Sequence, residues 1–361
     1  MSKRAAALAL AALLPLGLAV TDGRPARAAT AAHLPSHLAD REFWTLAAEL
    51  SEPSGSFRSD NLLSNESRLQ FVIPDLTRAV RPGGAYVGVG PEQNFTYIAA
   101  LQPSIAFIVD IRRGNFQLHL MYKALFELSA DRAEFVSRLF SRARPLELSA
   151  AARPSEIFEA YADAAPEQSA YERNLAAIEH QLSVVHGFPL SSDDLQGIAH
   201  VYHAFYTFGP AINYSSSETG NASSGYRPTY ADLMTATDNA GETRSFLASE
   251  DAFASVKALH ARNLIVPVVG DFAGPKAVRA VGAYLRRHDA TVAAFYVSNV
   301  EQYLRLERVW GAFCANVARL PIDDVSTFIR AGRGGRFSRG TALTAELAPI
   351  GVEVEGCDRR P

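Results

Sequence analysis

Two glycines and two carboxylates carry the most suggestive chemistry in this chain. Gly88 and Gly90 follow the apolar run Ala85-Tyr86-Val87, and Asp110 closes a second apolar run, Ile105 to Val109, twenty positions beyond Gly90. Paired glycines let a backbone come close to a ligand, and an acid at the end of the neighbouring strand can accept hydrogen bonds from both hydroxyls of a ribose. Glu92 and Asn94 lie just past the turn and add polar groups to it. The dinucleotide fingerprint would need a third glycine, and here Pro91-Glu92-Gln93 stands in its place. The plain alternative is a tight turn at Gly88 and Gly90, with Asp110 capping the helix that starts near Gly114.

These residues need a strand, a turn, a helix and a second strand to position them, and the pattern supplies that order. Pro82-Gly83-Gly84 is a turn, Ala85–Val89 a short strand, Phe95–Leu101 a helix and Ile105–Asp110 a buried strand. Upstream, Phe43, Leu46, Ala47 and Leu50 share one face of a helix over 40–50. A second helix is expected over 60–72, with Pro74 stopping it. Its polar clusters, Ser59-Asp60-Asn61 and Ser64-Asn65-Glu66, read either as a pocket lid or as a capped, solvated face. Downstream, helix is expected over 114–142 with a break at Ser129-Ala130-Asp131, where Asp131 and Glu134 form a start signal. Further helices are expected over 171–185 and 193–208. So much helix between two strands reads as an inserted helical subdomain or cap, followed by a Ser/Asn/Gly-rich loop over 213–225.

Several side chains near these elements have two readings. Arg112-Arg113 could hold an anionic group beside Asp110 or pair with acids. His119 and Lys123 could point toward the site, although a satisfied core histidine is the commoner case. His200 and His203 have a spacing that can bind metal, but no matching carboxylate accompanies them, so no metal is assigned. No hydrolase elbow, phosphate-binding lysine loop or C-x-x-C is present.

The chain has 361 residues, with 35 basic against 38 acidic side chains, 48% apolar residues and a net charge of −3. That balance excludes general disorder and gives no pull toward nucleic acid. Lys3-Arg4 precede an apolar run over 5–20, and small residues follow around Ala28–Ala31, which is the pattern of a secretory signal peptide. The run is short for a stable membrane span and is broken by Pro15 and Gly17. An exported, periplasmic or secreted protein is expected. Cys314 and Cys357 could form a disulfide or both stay free. The expected division is a signal peptide over 1–29, N-terminal helices over 30–75, an α/β part over 76–145, the helical insertion and loop over 146–225, a second α/β part over 226–330 and a tail over 331–361.

The run Tyr86 to Asn94, followed by Ile108-Val-Asp-Ile-Arg112, resembles the first two motifs of class I S-adenosylmethionine-dependent methyltransferases. The runs over 265–272 and 292–299 resemble that fold's fourth and fifth strands. The resemblance spans roughly 60–145 and 226–312. It implies an α/β, Rossmann-like, methyltransferase-type sheet with helices on both faces and a helical insertion. It further implies S-adenosylmethionine as cofactor, held by Gly88, Gly90, Glu92, Asn94 and Asp110, with Asp271 by the adenine. Tyr296, Ser298 and Asn299 would face the methyl group or its acceptor, a small molecule; a base is optional, and Glu301 or Glu92 could serve as one if the acceptor must lose a proton. The sequence departs from the family where Tyr86-Val87 replace its usual acid and where no N-P-P-Y motif appears. A cytoplasmic cofactor also conflicts with an exported chain. Two functions follow: methyl transfer to a small molecule, or an exported ligand-binding or otherwise active protein on a repurposed scaffold.

Overall fold

The computed structural model describes residues 34–146, 148–216, 227–333, 343–355 and 357. The expected signal peptide lies outside the described residues, as do most of the 213–225 loop and parts of the C-terminal tail. Residues from Ala32 onward form one compact unit. No helix among the described residues is long and apolar enough to cross a membrane.

The protein is α/β. Six strands, β1 (Ala85–Gly88), β2 (Ile105–Asp110), β3 (Ile265–Val269), β4 (Val292–Ser298), β5 (Thr327–Arg333) and β6 (Leu343–Pro349), form one sheet in the order β3-β2-β1-β4-β5-β6. All neighbours are parallel except β5 and β6. Every residue of β1, β2 and β3 is buried. This is why those strands read as unbroken apolar runs: a parallel sheet covered on both faces has no polar side to alternate with. Alternation reappears in what each side chain meets. Phe107 of β2 packs on Tyr284, and Phe328 of β5 faces Phe313, whereas Tyr296 of β4 points the other way onto Tyr97.

The helices are α1 (Asp40–Leu50), α2 (Ile73–Ala79), α3 (Gln93–Leu101), α4 (Arg113–Leu128), α5 (Arg132–Phe140), α6 (Pro154–Ala162), α7 (Gln168–His180), α8 (Ser192–Phe208), α9 (Tyr230–Thr235), α10 (Glu250–Ala261), α11 (Ala277–Arg287), α12 (Val300–Leu306), α13 (Trp310–Val317) and α14 (Ile350–Glu355). Tyr284 belongs to α11, Phe313 to α13 and Tyr97 to α3, so helices cover both faces. The break between α4 and α5 falls where Asp131 accepts from the backbone amide of Glu134 as an N-cap. The inserted helices are not a detached cap. α8 packs on α4 through Phe205 against Tyr122, and Arg113 of α4 is paired with Asp194 of α8. Cys314 and Cys357 are joined as a disulfide.

Three expectations are corrected. The strands over 265–269 and 292–298 are the third and fourth in the chain, not the fourth and fifth. β3 pairs with β2, and β4 pairs with β1. The helix expected over 60–72 is not formed. Residues 51–68 run as an extended strap, a short 3₁₀ turn covers Leu69–Val72, and Pro74 sits in the first turn of α2 instead of ending a helix. A proline fits there because the first amides of a helix have no intrahelical partner. Asn61 in the strap has φ of 48°, a left-handed conformation that no helix contains and that asparagine tolerates better than most residues.

Candidate functional site

The strap crosses the carboxyl ends of the parallel strands and fastens to most of them in turn. At β3, the Val269 amide donates to the Ser51 hydroxyl at 3.0 Å, and the Glu52 carboxylate accepts from the amides of Lys276 and Ala277. At β2, the Gly55 amide donates to the Ile111 carbonyl, and the Arg112 guanidinium reaches the carbonyls of Ser59 and Asp60. At the β1 turn, the Ser64 amide donates to the Glu92 carboxyl at 3.2 Å. At β4, the hydroxyls of Tyr296 and Ser298 both donate to Oε1 of Glu66.

The β1 turn is a self-contained device. Gly90 has φ of 77°, where a side chain is strained. A Cβ on Gly88 would lie 2.0 Å from Oδ1 of Asn94 and 2.8 Å from the Tyr86 ring. The close approach that glycine permits at 88 is thus used by Asn94. Its amide donates to the carbonyls of Val89, Gly90 and Pro91, and its Oδ1 accepts from the Tyr86 hydroxyl at 2.9 Å. His119 of α4 braces the same turn, with Nε2 2.9 Å from the Gly90 carbonyl oxygen. Burial pulls the His119 pKa down to about 4, the Gly90 contact opposing, so a neutral imidazole donates here.

Asp110 stands at the end of β2, beside this turn. Both its oxygens are engaged by Arg112, with contacts of 2.9 Å from Nε and 2.7 Å from Nη2. Of the two readings of Arg112-Arg113, pairing with acids is the one observed: Arg112 with Asp110 and Arg113 with Asp194.

Buried polar groups gather where the strap meets the ends of β1 and β4. Glu66 is 1% exposed and Glu92 0%. Burial pushes the Glu92 carboxyl up to about 8, its own amide and that of Ser64 opposing and the nearby Glu66 adding to the rise. Burial also raises Glu66 above the usual carboxylate range, against the pull of the Ser298 and Tyr296 hydroxyls. Gln93 joins the cluster by donating from Nε2 to the Tyr296 oxygen at 3.2 Å and to the Val89 carbonyl at 3.2 Å. Oε2 of Glu66 and Oε1 of Gln93 are buried without a hydrogen-bond partner among the described residues. Ser298 adopts a left-handed φ of 50°, a conformation that costs a non-glycine residue on the order of 1 kcal/mol.

The structure thus brings Gly88, Gly90, Glu92, Asn94, Asp110 and Tyr296 together at the carboxyl ends of β2, β1 and β4. It does not bring in the other candidates in free form. Asp271 accepts from the Ala273 amide within its own turn. Asn299 begins α12 and has the Ser298 hydroxyl at 3.5 Å. Glu301 is ion-paired with Arg330 at 2.9 Å, which also meets Glu353. His200 faces Asp60 of the strap at 3.5 Å, and His203 lies edge-on to Tyr171. Sequence reading placed Glu66 only in a general polar cluster. Its signal was a carboxylate flanked by Leu62, Leu63 and Leu69, all of which are buried.

A family model described as a domain of unknown function, DUF7790, matches residues 62–188 and 215–347. The chain belongs to the DUF7790 family. No curated protein matches it. The DUF7790 match takes in residues 62–68 of the strap, β1 to β5, β6 as far as Leu347, and Glu66, Glu92, Gln93, Tyr296 and Ser298. It leaves out residues 51–61 of the strap and all of α8.

Proposed function

We propose that this DUF7790 protein is an exported small-molecule-binding protein on a methyltransferase-like, Rossmann-type scaffold, and that its ligand sits between β1 and β4 beneath the strap. The observation that carries this reading is the position of the Glu66–Glu92–Gln93 cluster. β1 is flanked by β2 on one side and β4 on the other, so the strand order reverses direction there. In open α/β sheets the crevice outside the carboxyl ends at such a switch point is where ligands bind. Buried acceptors without partners at that place are the feature a ligand would complete. Export follows from the expected leader and agrees with an oxidising compartment, in which a disulfide such as Cys314–Cys357 persists.

A second reading, methyl transfer from S-adenosylmethionine to a small molecule, is favoured by one specific observation. A glycine turn follows β1, and Asp110 ends the adjacent β2, as the resemblance implies. The residues as arranged do not fit that cofactor. Arg112 takes both oxygens of Asp110, Asn94 fills the space at Gly88, and the carbonyls of Ser59 and Asp60 hold the Arg112 guanidinium. The second reading requires Arg112 to leave Asp110.

Thermal denaturation of the chain from residue 29 onward, with S-adenosylhomocysteine, S-adenosylmethionine and NAD, separates the two. The first reading expects no shift from any of them. A shift with the two sulfur compounds, lost in Asp110→Ala, would replace it with the second. A ligand at 100 times its dissociation constant adds about 2.7 kcal/mol, enough to be seen.

A further inference from the structure

We infer that the ligand of this crevice carries a primary ammonium group, received by Oε2 of Glu66 and Oε1 of Gln93 with the Glu92 carboxyl behind them. The inference deepens the small-molecule reading and rests on it. Its first support is that the open atoms of Glu66 and Gln93 are both acceptors. The Gln93 amide is oriented by two acceptors on its nitrogen, the Val89 carbonyl and the Tyr296 oxygen, so its oxygen is the free end. Glu66 receives two hydroxyl donors on Oε1 and none on Oε2. Gln93 is 3% exposed, so neither free oxygen is served by bulk water.

Charge provides the second support. Two buried carboxyls lie close enough for Glu66 to raise the pKa of Glu92, and among the described residues no cationic side chain is one of the groups that act on either. Elsewhere in this protein, buried acids have such partners: Asp110 has Arg112, and Glu127 has Lys123. An unmatched buried acid pair must hold protons or receive a cation. A primary ammonium supplies the charge and three N–H donors in one small group, which suits two free oxygens and a nearby carboxyl. A metal cation is a poorer match, since no group of three or more acidic, histidine or cysteine side chains that could ligate one occurs among the described residues.

The test uses the whole chain and four probes in thermal denaturation: ethylammonium chloride, tetramethylammonium chloride, acetamide and sodium chloride. Ethylammonium is expected to raise the melting temperature saturably, with little effect from the other three. The gain should disappear in Glu66→Gln, which keeps an oxygen to accept from Tyr296 and Ser298 but loses the charge. Equal stabilisation by ethylammonium and acetamide, lost in Glu66→Gln, would overturn the ammonium assignment and leave the small-molecule reading standing. No saturable response to any probe, or equal responses to tetramethylammonium and ethylammonium, would overturn both. Comparison among probes needs only the wild-type chain, so a misfolded variant would not decide the outcome.

Discussion

At Gly88 the missing Cβ leaves a space that Asn94 occupies, and the whole β1 turn depends on that fit. Alanine at 88 would force Oδ1 away from Tyr86 and loosen an amide that holds three carbonyls. Overpacking of this kind typically costs about 1–3 kcal/mol. We expect Gly88→Ala to lower the denaturant midpoint accordingly, with an unchanged slope. Glu92 makes a prediction of a different sort. Its folded-state pKa, about 8, is above its ordinary value of 4.5. The fold therefore holds a proton that the unfolded chain releases. Stability from this group is complete below about pH 4.5 and declines as pH rises toward 8, by up to about 1.4 kcal/mol per pH unit. Glu92→Gln removes that decline. Unfolding free energies of the two proteins should converge or cross between pH 5 and 8 and run parallel at the extremes, whereas parallel curves throughout would show that Glu92 is already ionised in the fold.

Between elements, His186 is a clamp. Its Nδ1 lies 2.6 Å from Asp40 of α1, and its Nε2 lies 2.6 Å from Glu127 of α4. It follows a π-helical turn over Gln181–Val185, from which Gln181 also reaches Glu127. Burial opposes the imidazolium and Lys123 repels it, but the two carboxylates prevail and raise its pKa above the usual 6.5. The stability it contributes is thus fully present below about pH 6.5 and is lost as pH rises through the higher folded value. Hydrogen exchange in α1 and over 181–186 should quicken on that rise in wild type. In His186→Gln it should be quick already and less dependent on pH. Elements whose pattern is local were legible from sequence: the α4–α5 break needs only Asp131 and the Glu134 amide, and β2 only its six buried residues. The strap was not. Leu62, Leu63 and Leu69 have spacing compatible with a helix, but what holds residues 51–68 extended is a series of partners on β2, β3 and β4 that no local pattern reveals.

At the scale of the molecule, the unit from Ala32 onward is closed at its far end by the Cys314–Cys357 bond, which ties the segment after β6 to α13. A link across 43 residues contributes about 4 kcal/mol in the chain-entropy model. Replacing both cysteines with serine should lower unfolding free energy by up to that amount while leaving the β1 turn intact, as read by unchanged exchange at Gln93–Leu101. The candidate site is only half legible at this scale. Gly88, Gly90, Glu92 and Asp110 announce themselves along 23 residues of sequence. Glu66 gains its meaning only from Tyr296 and Ser298, which a one-dimensional reading has no reason to place beside it.

Those separations also set an order of events. Ser51 and Val269 are 218 residues apart, and Glu66 and Ser298 are 232 apart. A chain made from its N-terminus presents the strap early and its docking points late. Leu62, Leu63 and the Glu66 carboxyl therefore stay uncovered through most of synthesis, until the end of β4 has emerged. Loop closure over such distances comes after local structure has formed. The roof over the crevice is consequently assembled from contacts that close late, after the helices and strands on either side of it have formed.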